Sequence, residues 1–125
     1  RYFSGIATYR TTFHCPASVA QSGGAVQLDL GRVAEVCEVR LNDKPVGIGW
    51  HPPYHFEVNG RLAAGENRLE IRVANLWHNR LVGDASLPKA KRISHMVPES
   101  YYSELRDKKL MDSGLLGPVR ILTMP

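Results

Sequence analysis

The chain has 125 residues, of which 43% are apolar, 22% charged and 8% aromatic, enough for one ordinary domain and too few for a second core. Sixteen Lys and Arg stand against twelve Asp and Glu, a formal charge of +4, but the basic residues are spread from Arg1 to Arg120. Nucleic acid, which usually wants clustered cations, is therefore not an expected partner, and no apolar run approaches the ~20 residues of a helical membrane span, so a membrane is not expected either.

Period-two patterning governs the first three fifths of the sequence, each run bounded by Gly, Pro, Asn or Asp. From Gly5 to His14, Ala7, Tyr9, Thr11 and Phe13 alternate with Thr8, Arg10 and Thr12 until Pro16 ends the strand. Ala25 to Leu30 places Val26, Leu28 and Leu30 on one side and Gln27 and Asp29 on the other, and Gly31 turns the chain. Residues Glu35 to Leu41 put Cys37, Val39 and Leu41 inward. Asn42-Asp43-Lys44-Pro45 then supplies a hairpin turn, after which Val46, Ile48 and Trp50 are expected to resume the inward alternation. Tyr54 to Val58 reads as a short strand ended by Asn59-Gly60. Leu69, Ile71 and Val73 alternate with Glu70 and Arg72, and a last strand, Val119 to Met124, follows Gly117-Pro118.

Seven short strands with turns between them and no alternating helices predict an all-β, antiparallel sandwich or barrel over residues 1–125. Residues 84–113 are the exception. They hold Pro88 and Pro98 and no sustained period of two, and are expected to form a long irregular connection with one short helix within Pro98 to Leu110, carrying Tyr101, Leu105 and Leu110 on a face. Loops of that length more often bind than scaffold. Cys15 and Cys37 permit one disulfide, but Cys37 lies in an apolar strand, where a reduced thiol acts as a small hydrophobe, and buried free thiols are the expectation. Because the chain opens on Arg1 and not on methionine, it is expected to be excised from a longer polypeptide, which leaves its localisation undecided; periplasmic or secreted is preferred to cytoplasmic.

Catalytic candidates are few. Glycoside cleavage usually needs two carboxyl groups facing one bond, whereas Asp29, Glu38, Glu57 and Glu70 read as the wet partners of strand alternation, and Asp84 stands alone in an irregular segment. His51 and His55 would share a helix face, but Pro52 and Pro53 forbid the helix, and in an extended chain the rings stand about 13 Å apart, too far to share a metal ion. No GxSxG elbow is present. No catalytic or metal-ligating residue is assigned.

Two segments combine aromatic and polar side chains: Gly49-Trp50-His51-Pro52-Pro53-Tyr54 and Asn75-Leu76-Trp77-His78-Asn79-Arg80-Leu81-Val82-Gly83-Asp84. An indole can cover the apolar face of a sugar ring while Asn, Arg, Asp and His bond its hydroxyls. Trp50, His51, Trp77, Asn79, Arg80 and Asp84 are thus candidate carbohydrate-binding residues. The alternative is that both indoles cap the core and that Asn79, Arg80 and Asp84 tie down a loop through an Arg to carboxylate pair.

These segments, with Phe3-Ser4-Gly5-Ile6-Ala7-Thr8-Tyr9-Arg10, Leu28-Asp29-Leu30-Gly31-Arg32-Val33, Glu38-Val39-Arg40-Leu41-Asn42, Gly65-Glu66-Asn67 and Ser113-Gly114-Leu115-Leu116-Gly117-Pro118-Val119, resemble one family along nearly the whole chain. It is the galactose-binding-like β-sandwich, or jelly roll, attached to glycoside hydrolases of the family 2 type and to bacterial α-L-rhamnosidases. The resemblance implies a non-catalytic accessory domain near the C-terminal end of a multidomain glycosidase, with carbohydrate and the parent's catalytic domain as partners. The same resemblance leaves open a purely structural brace that binds no sugar. Pro88 to Asp112 is longer and more basic than the family leads one to expect, and histidine at positions 51 and 78 prevents any transfer of sugar specificity. Many relatives hold a structural calcium, but no Asp-rich loop suggests one here, and no cofactor is expected.

Overall fold

The three alternating apolar sets Val26, Leu28, Leu30; Cys37, Val39, Leu41; and Leu69, Ile71, Val73 are all buried. Pleating puts alternate side chains on opposite faces, so each set can only be covered by a second layer. The computed structural model describes residues 1–124. In chain order it contains β1 (Ile6–Cys15), α1 (Ala17–Ala20), β2 (Val26–Asp29), β3 (Arg32–Ala34), β4 (Val36–Leu41), β5 (Lys44–Gly49), β6 (His55–Glu57) and β7 (Gly65–Ala74). There follow α2 (His78–Ala85), α3 (Glu99–Leu105), β8 (Gly114–Gly117) and β9 (Arg120–Thr123). An antiparallel four-stranded sheet in the order β1-β7-β4-β5 packs against a three-stranded sheet, β6-β2-β9, and a short β3-β8 pair. Their inner faces, with Tyr54, Phe56 and Val58, enclose one core. The all-β antiparallel sandwich expected from the sequence is the architecture found.

β5 departs from its expected parity. Val39 pairs with Gly47 and Arg40 with Pro45, so Val46 is the extra residue of a β-bulge. Beyond it the faces exchange. Ile48 and Trp50, expected inward, are 68% and 72% exposed. Gly47 and Gly49 face the core in their place, and at Gly49 a Cβ would come within 2.9 Å of Tyr54 Cδ1 and 3.0 Å of Cys37 Sγ. The glycines let the aromatic rings of the second sheet lie directly on the β5 backbone.

Asp29, expected on a wet face, is buried. β9 brings Arg120 opposite it, and the Arg120 Nη2 donates to Oδ2 at 2.7 Å while the Gly31 N–H donates to Oδ1 at 2.7 Å. Its carboxyl is held below the ordinary range, chiefly by the Gly31 N–H, with burial opposing and Arg120 assisting. Both cysteines are buried and free, as expected.

Asp84, expected in an irregular segment, lies in α2. α2 packs Leu81, Val82 and Ala85 against Tyr102 and Leu105 of α3, with Val97 and Leu110 at the margin, as a small second core. Gly83 allows the Tyr2 ring to rest on α2, where a Cβ would lie 2.6 Å from Tyr2 Cγ. α3 falls within the expected Pro98 to Leu110 window, with Pro98 before its first turn, but it buries Tyr102 and leaves Tyr101 exposed.

Candidate functional site

Cys37 of β4 is paired with Gly49 of β5 on one side and Val73 of β7 on the other. The chain therefore leaves β5 at Trp50 and β7 at Asn75 from the same end of the sheet, on strands that flank β4 and lie about 10 Å apart. This register brings the two candidate segments to one rim.

Trp50 projects from that rim, its ring centroid 4.7 Å from that of His51 with the planes at 82°. The His51 Nδ1 is 2.8 Å from the Pro52 carbonyl, an acceptor only, so Nδ1 is the donor of this pair. Trp77 is 55% exposed at the start of α2. Neither indole caps the core.

The polar candidates look inward. Asn79 donates from Nδ2 to the Met111 carbonyl and accepts the Met111 N–H at Oδ1, both at 2.8 Å. Asp84, with no exposed surface, accepts from Arg80 Nη2 at 2.9 Å, from the Ile93 N–H at 3.3 Å and from the Ser94 N–H at 2.8 Å. The Ser94 carbonyl in turn accepts the Tyr102 hydroxyl, and the Arg92 guanidinium lies 4.2 Å over the Tyr102 ring while bonding both Glu99 oxygens at 2.9 Å. These contacts fix the chain from Arg92 to Ser94 against α2 and α3. Arg80 Nε is buried without a partner among the described residues.

Sequence reasoning passed over Asn75, which locks the same rim. Its Oδ1 accepts the Gly5 N–H at 2.9 Å, and its Nδ2 donates to the Phe3 carbonyl at 2.9 Å and to Ser113 Oγ at 2.5 Å. Nothing local marks such a residue, because its partners lie 70, 72 and 38 positions away.

Sequence reasoning also missed an apolar strip on the outer face of the four-stranded sheet. Ile6 lies opposite Ala74 and Ala74 opposite Val36, and Ile48 stands one row further along β5. Ile6, Val36, Ile48 and Ala74, with the Glu38–Arg72 ion pair, line an open groove of about 300 Å³. Exposed apolar surface of this kind is the mark of a contact surface. Among the described residues no three His, Cys, Asp or Glu side chains gather as a metal centre would require.

Comparison with known proteins agrees with this architecture. A family model described as glycosyl hydrolase 2 galactose-binding domain-like matches residues 5–112. A rhamnosidase from Novosphingobium sp. PP1Y has a TM-score of 0.82 and 42% identity over 96% of this chain and 11% of its own. A protein of Formosa agariphila named "Putative beta-glucuronidase" is 39% identical over 97% of this chain and 12% of its own length. A beta-glucuronidase of Bifidobacterium dentium, 28% identical, matches 56% of this chain and 11% of its own at a TM-score of 0.51. The chain thus spans about 11–12% of the length of these relatives. It belongs to the galactose-binding-like domain family of the family 2 glycosyl hydrolases.

Proposed function

We propose that this domain is a non-catalytic accessory module of a multidomain glycoside hydrolase and that it braces the parent enzyme by packing the Trp50 and Trp77 end of the sandwich on a neighbouring domain. The observation that carries this reading is the combination of exposed Ile48, Trp50 and Trp77 with an apolar strip on the adjoining sheet face, while Asn79 and Asp84 spend their polar atoms inside the fold and Arg80 is tied to Asp84. A sugar site needs free hydrogen-bond groups beside its aromatic platform. A domain interface needs apolar anchors, and burying each such side chain contributes ~1.5–3 kcal/mol. The rhamnosidase and glucuronidase names of the relatives support a hydrolase as the parent.

A second reading, that the domain holds carbohydrate, is favoured by one feature: the exposed Trp50 indole with the exposed His51 ring beside it forms a stacking face with a polar edge. Titrating the 125-residue chain with neutral rhamnose- and galactose-containing oligosaccharides, followed by indole fluorescence, separates the two. Bracing predicts no saturable binding, together with increased protease sensitivity of the domain in the full-length parent when Ile48→Asp and Val36→Asp are introduced. Saturable binding that disappears in Trp50→Ala, with proteolysis unaffected by the sheet-face changes, would transfer the function to sugar recognition.

A further inference from the structure

The outer face of the four-stranded sheet is sorted along its strands. At the rim it is apolar, through Ile6, Ala74 and Val36. Toward the β4–β5 turn it becomes cationic: Arg10 lies opposite Glu70, Glu70 opposite Arg40, and Arg68 opposite Thr12 in the next row. Here a cleft of about 370 Å³ opens between Arg10, Arg40, Arg68, Thr12, Asp43 and Glu70, a volume within the ~300–1,000 Å³ typical of small-molecule sites.

Three guanidinium groups share this cleft with two carboxylates. Arg10 Nε pairs with Glu70 Oε2 at 2.6 Å and Arg68 Nη2 pairs with Asp43, all four side chains being solvated except the partly covered Glu70. Arg40 sits across from Glu70, yet bonds only a carbonyl, that of Asp43, through Nη2 at 2.7 Å. Each guanidinium carries five N–H donors. Among the described residues each of these three engages the protein through a single nitrogen, so the cleft holds a surplus of donors and one cation with no carboxylate of its own. Exposed ion pairs contribute about 0–1 kcal/mol, which lets Arg10 and Arg68 exchange partners at little cost.

We infer that this cleft binds an acidic sugar residue. Its carboxylate or sulfate oxygens are taken by Arg40 and the unused edges of Arg10 and Arg68, and its hydroxyls lie toward Thr12. Carboxylate and sulfate oxygens can each accept a pair of bonds from the guanidinium fork in a way that neutral hydroxyls do not. An acidic protein segment fits less well, because protein interfaces centre on buried aromatic or aliphatic anchors, and the only large apolar side chain lining this cleft, Leu69, is buried in the core. The site does not depend on the bracing proposed above, which uses the opposite end of the same face.

The test is calorimetric titration of the 125-residue chain with trigalacturonate, with its neutral methyl ester, with a carrageenan tetrasaccharide that carries sulfate and no carboxylate, and with polyglutamate. Saturable binding of either acidic saccharide is expected, with none for the ester. It weakens as NaCl is raised and falls about tenfold or more in Arg40→Ala, while Arg40→Lys retains part of it. Arg68→Gln, on an exposed side chain, repeats the measurement should Arg40→Ala lose its native near-ultraviolet dichroism. The proposal is overturned if neither acidic saccharide binds, if binding survives both substitutions unchanged, or if polyglutamate binds as tightly as the saccharides.

Discussion

The Asp84 carboxylate lies directly beneath Ser94, accepting its backbone N–H at 2.8 Å across ten residues of chain. It simultaneously holds Arg80 one helical turn before it. One buried charge thus joins α2 to the segment that leads into α3. Asp84→Ala leaves Arg80 without its partner and orphans two N–H groups, and is expected to destabilise the domain by about 3–5 kcal/mol. Asp84→Asn, which keeps one acceptor, is expected to cost less. Urea unfolding of both variants measures the difference, and equal stability of Asp84→Ala and the parent chain would remove this network from the account.

Asp29 predicts an acid limb. Its folded pKa is lowered, first by the Gly31 N–H and then, against burial, by Arg120, while the unfolded value is about 3.9. The unfolded chain therefore binds the proton more readily, so the stabilisation is complete above about pH 4 and is lost as pH falls through the lower folded value. Asp29→Asn should flatten the dependence of the urea midpoint on pH in that window and leave the slope near neutrality unchanged. Arg120→Ala should flatten it in part.

The two inward glycines of β5 should respond unequally to alanine. At Gly49 the added Cβ meets Tyr54, Cys37 and Phe56 at 2.9, 3.0 and 3.0 Å, whereas at Gly47 it meets only Phe56, at 3.1 and 3.3 Å. Overpacking of this kind costs about 1–3 kcal/mol. Gly49→Ala is expected at the upper end and Gly47→Ala near the lower, read as shifts in thermal midpoint, and the reverse order would contradict the packing described.

Asn67, fully buried, is satisfied at both ends of its amide. Oδ1 accepts from Asn42 Nδ2 and the Ala63 N–H, both at 2.8 Å, and Nδ2 donates to the Ala63 carbonyl at 2.7 Å and the Gly65 carbonyl at 3.0 Å. Asn67→Ala should destabilise by about 1–3 kcal/mol. Asn67→Asp should be worse at neutral pH, because a carboxylate would face two carbonyl oxygens, and should recover on acidification. A pH-independent Asn67→Asp would refute that arrangement.

The sandwich was legible because Leu28, Val39 and Ile71 each sit in runs whose period is the period of a pleated strand, and local geometry alone makes that period visible. Ile48 and Trp50 were misjudged because a single extra residue at Val46 exchanges the two faces, and only the pairing of β4 with β5 reveals it. β3, β8 and α1 were not anticipated; they are short, and the strands exist as edges matched to distant partners. α2 was missed because it has no side-chain cap and carries Gly83, and its stability comes from contacts with α3 and Tyr2.

The candidate site divides the same way. Which residues could touch a ligand, Trp50, His51, Trp77, Asn79, Arg80 and Asp84, is a matter of side-chain chemistry and was written in the sequence. Which of them face outward was decided by the fold. Asn79 is engaged by Met111, Asp84 by Ile93 and Ser94 and by Arg80 in turn, and Arg10, Arg40 and Arg68 share a cleft because β1 and β4 both pair with β7. Periodicity is a property of neighbours along the chain and survives in one dimension. Burial of a charge and convergence of three arginines depend on partners tens of residues apart, and so exist only once the strands have found their register.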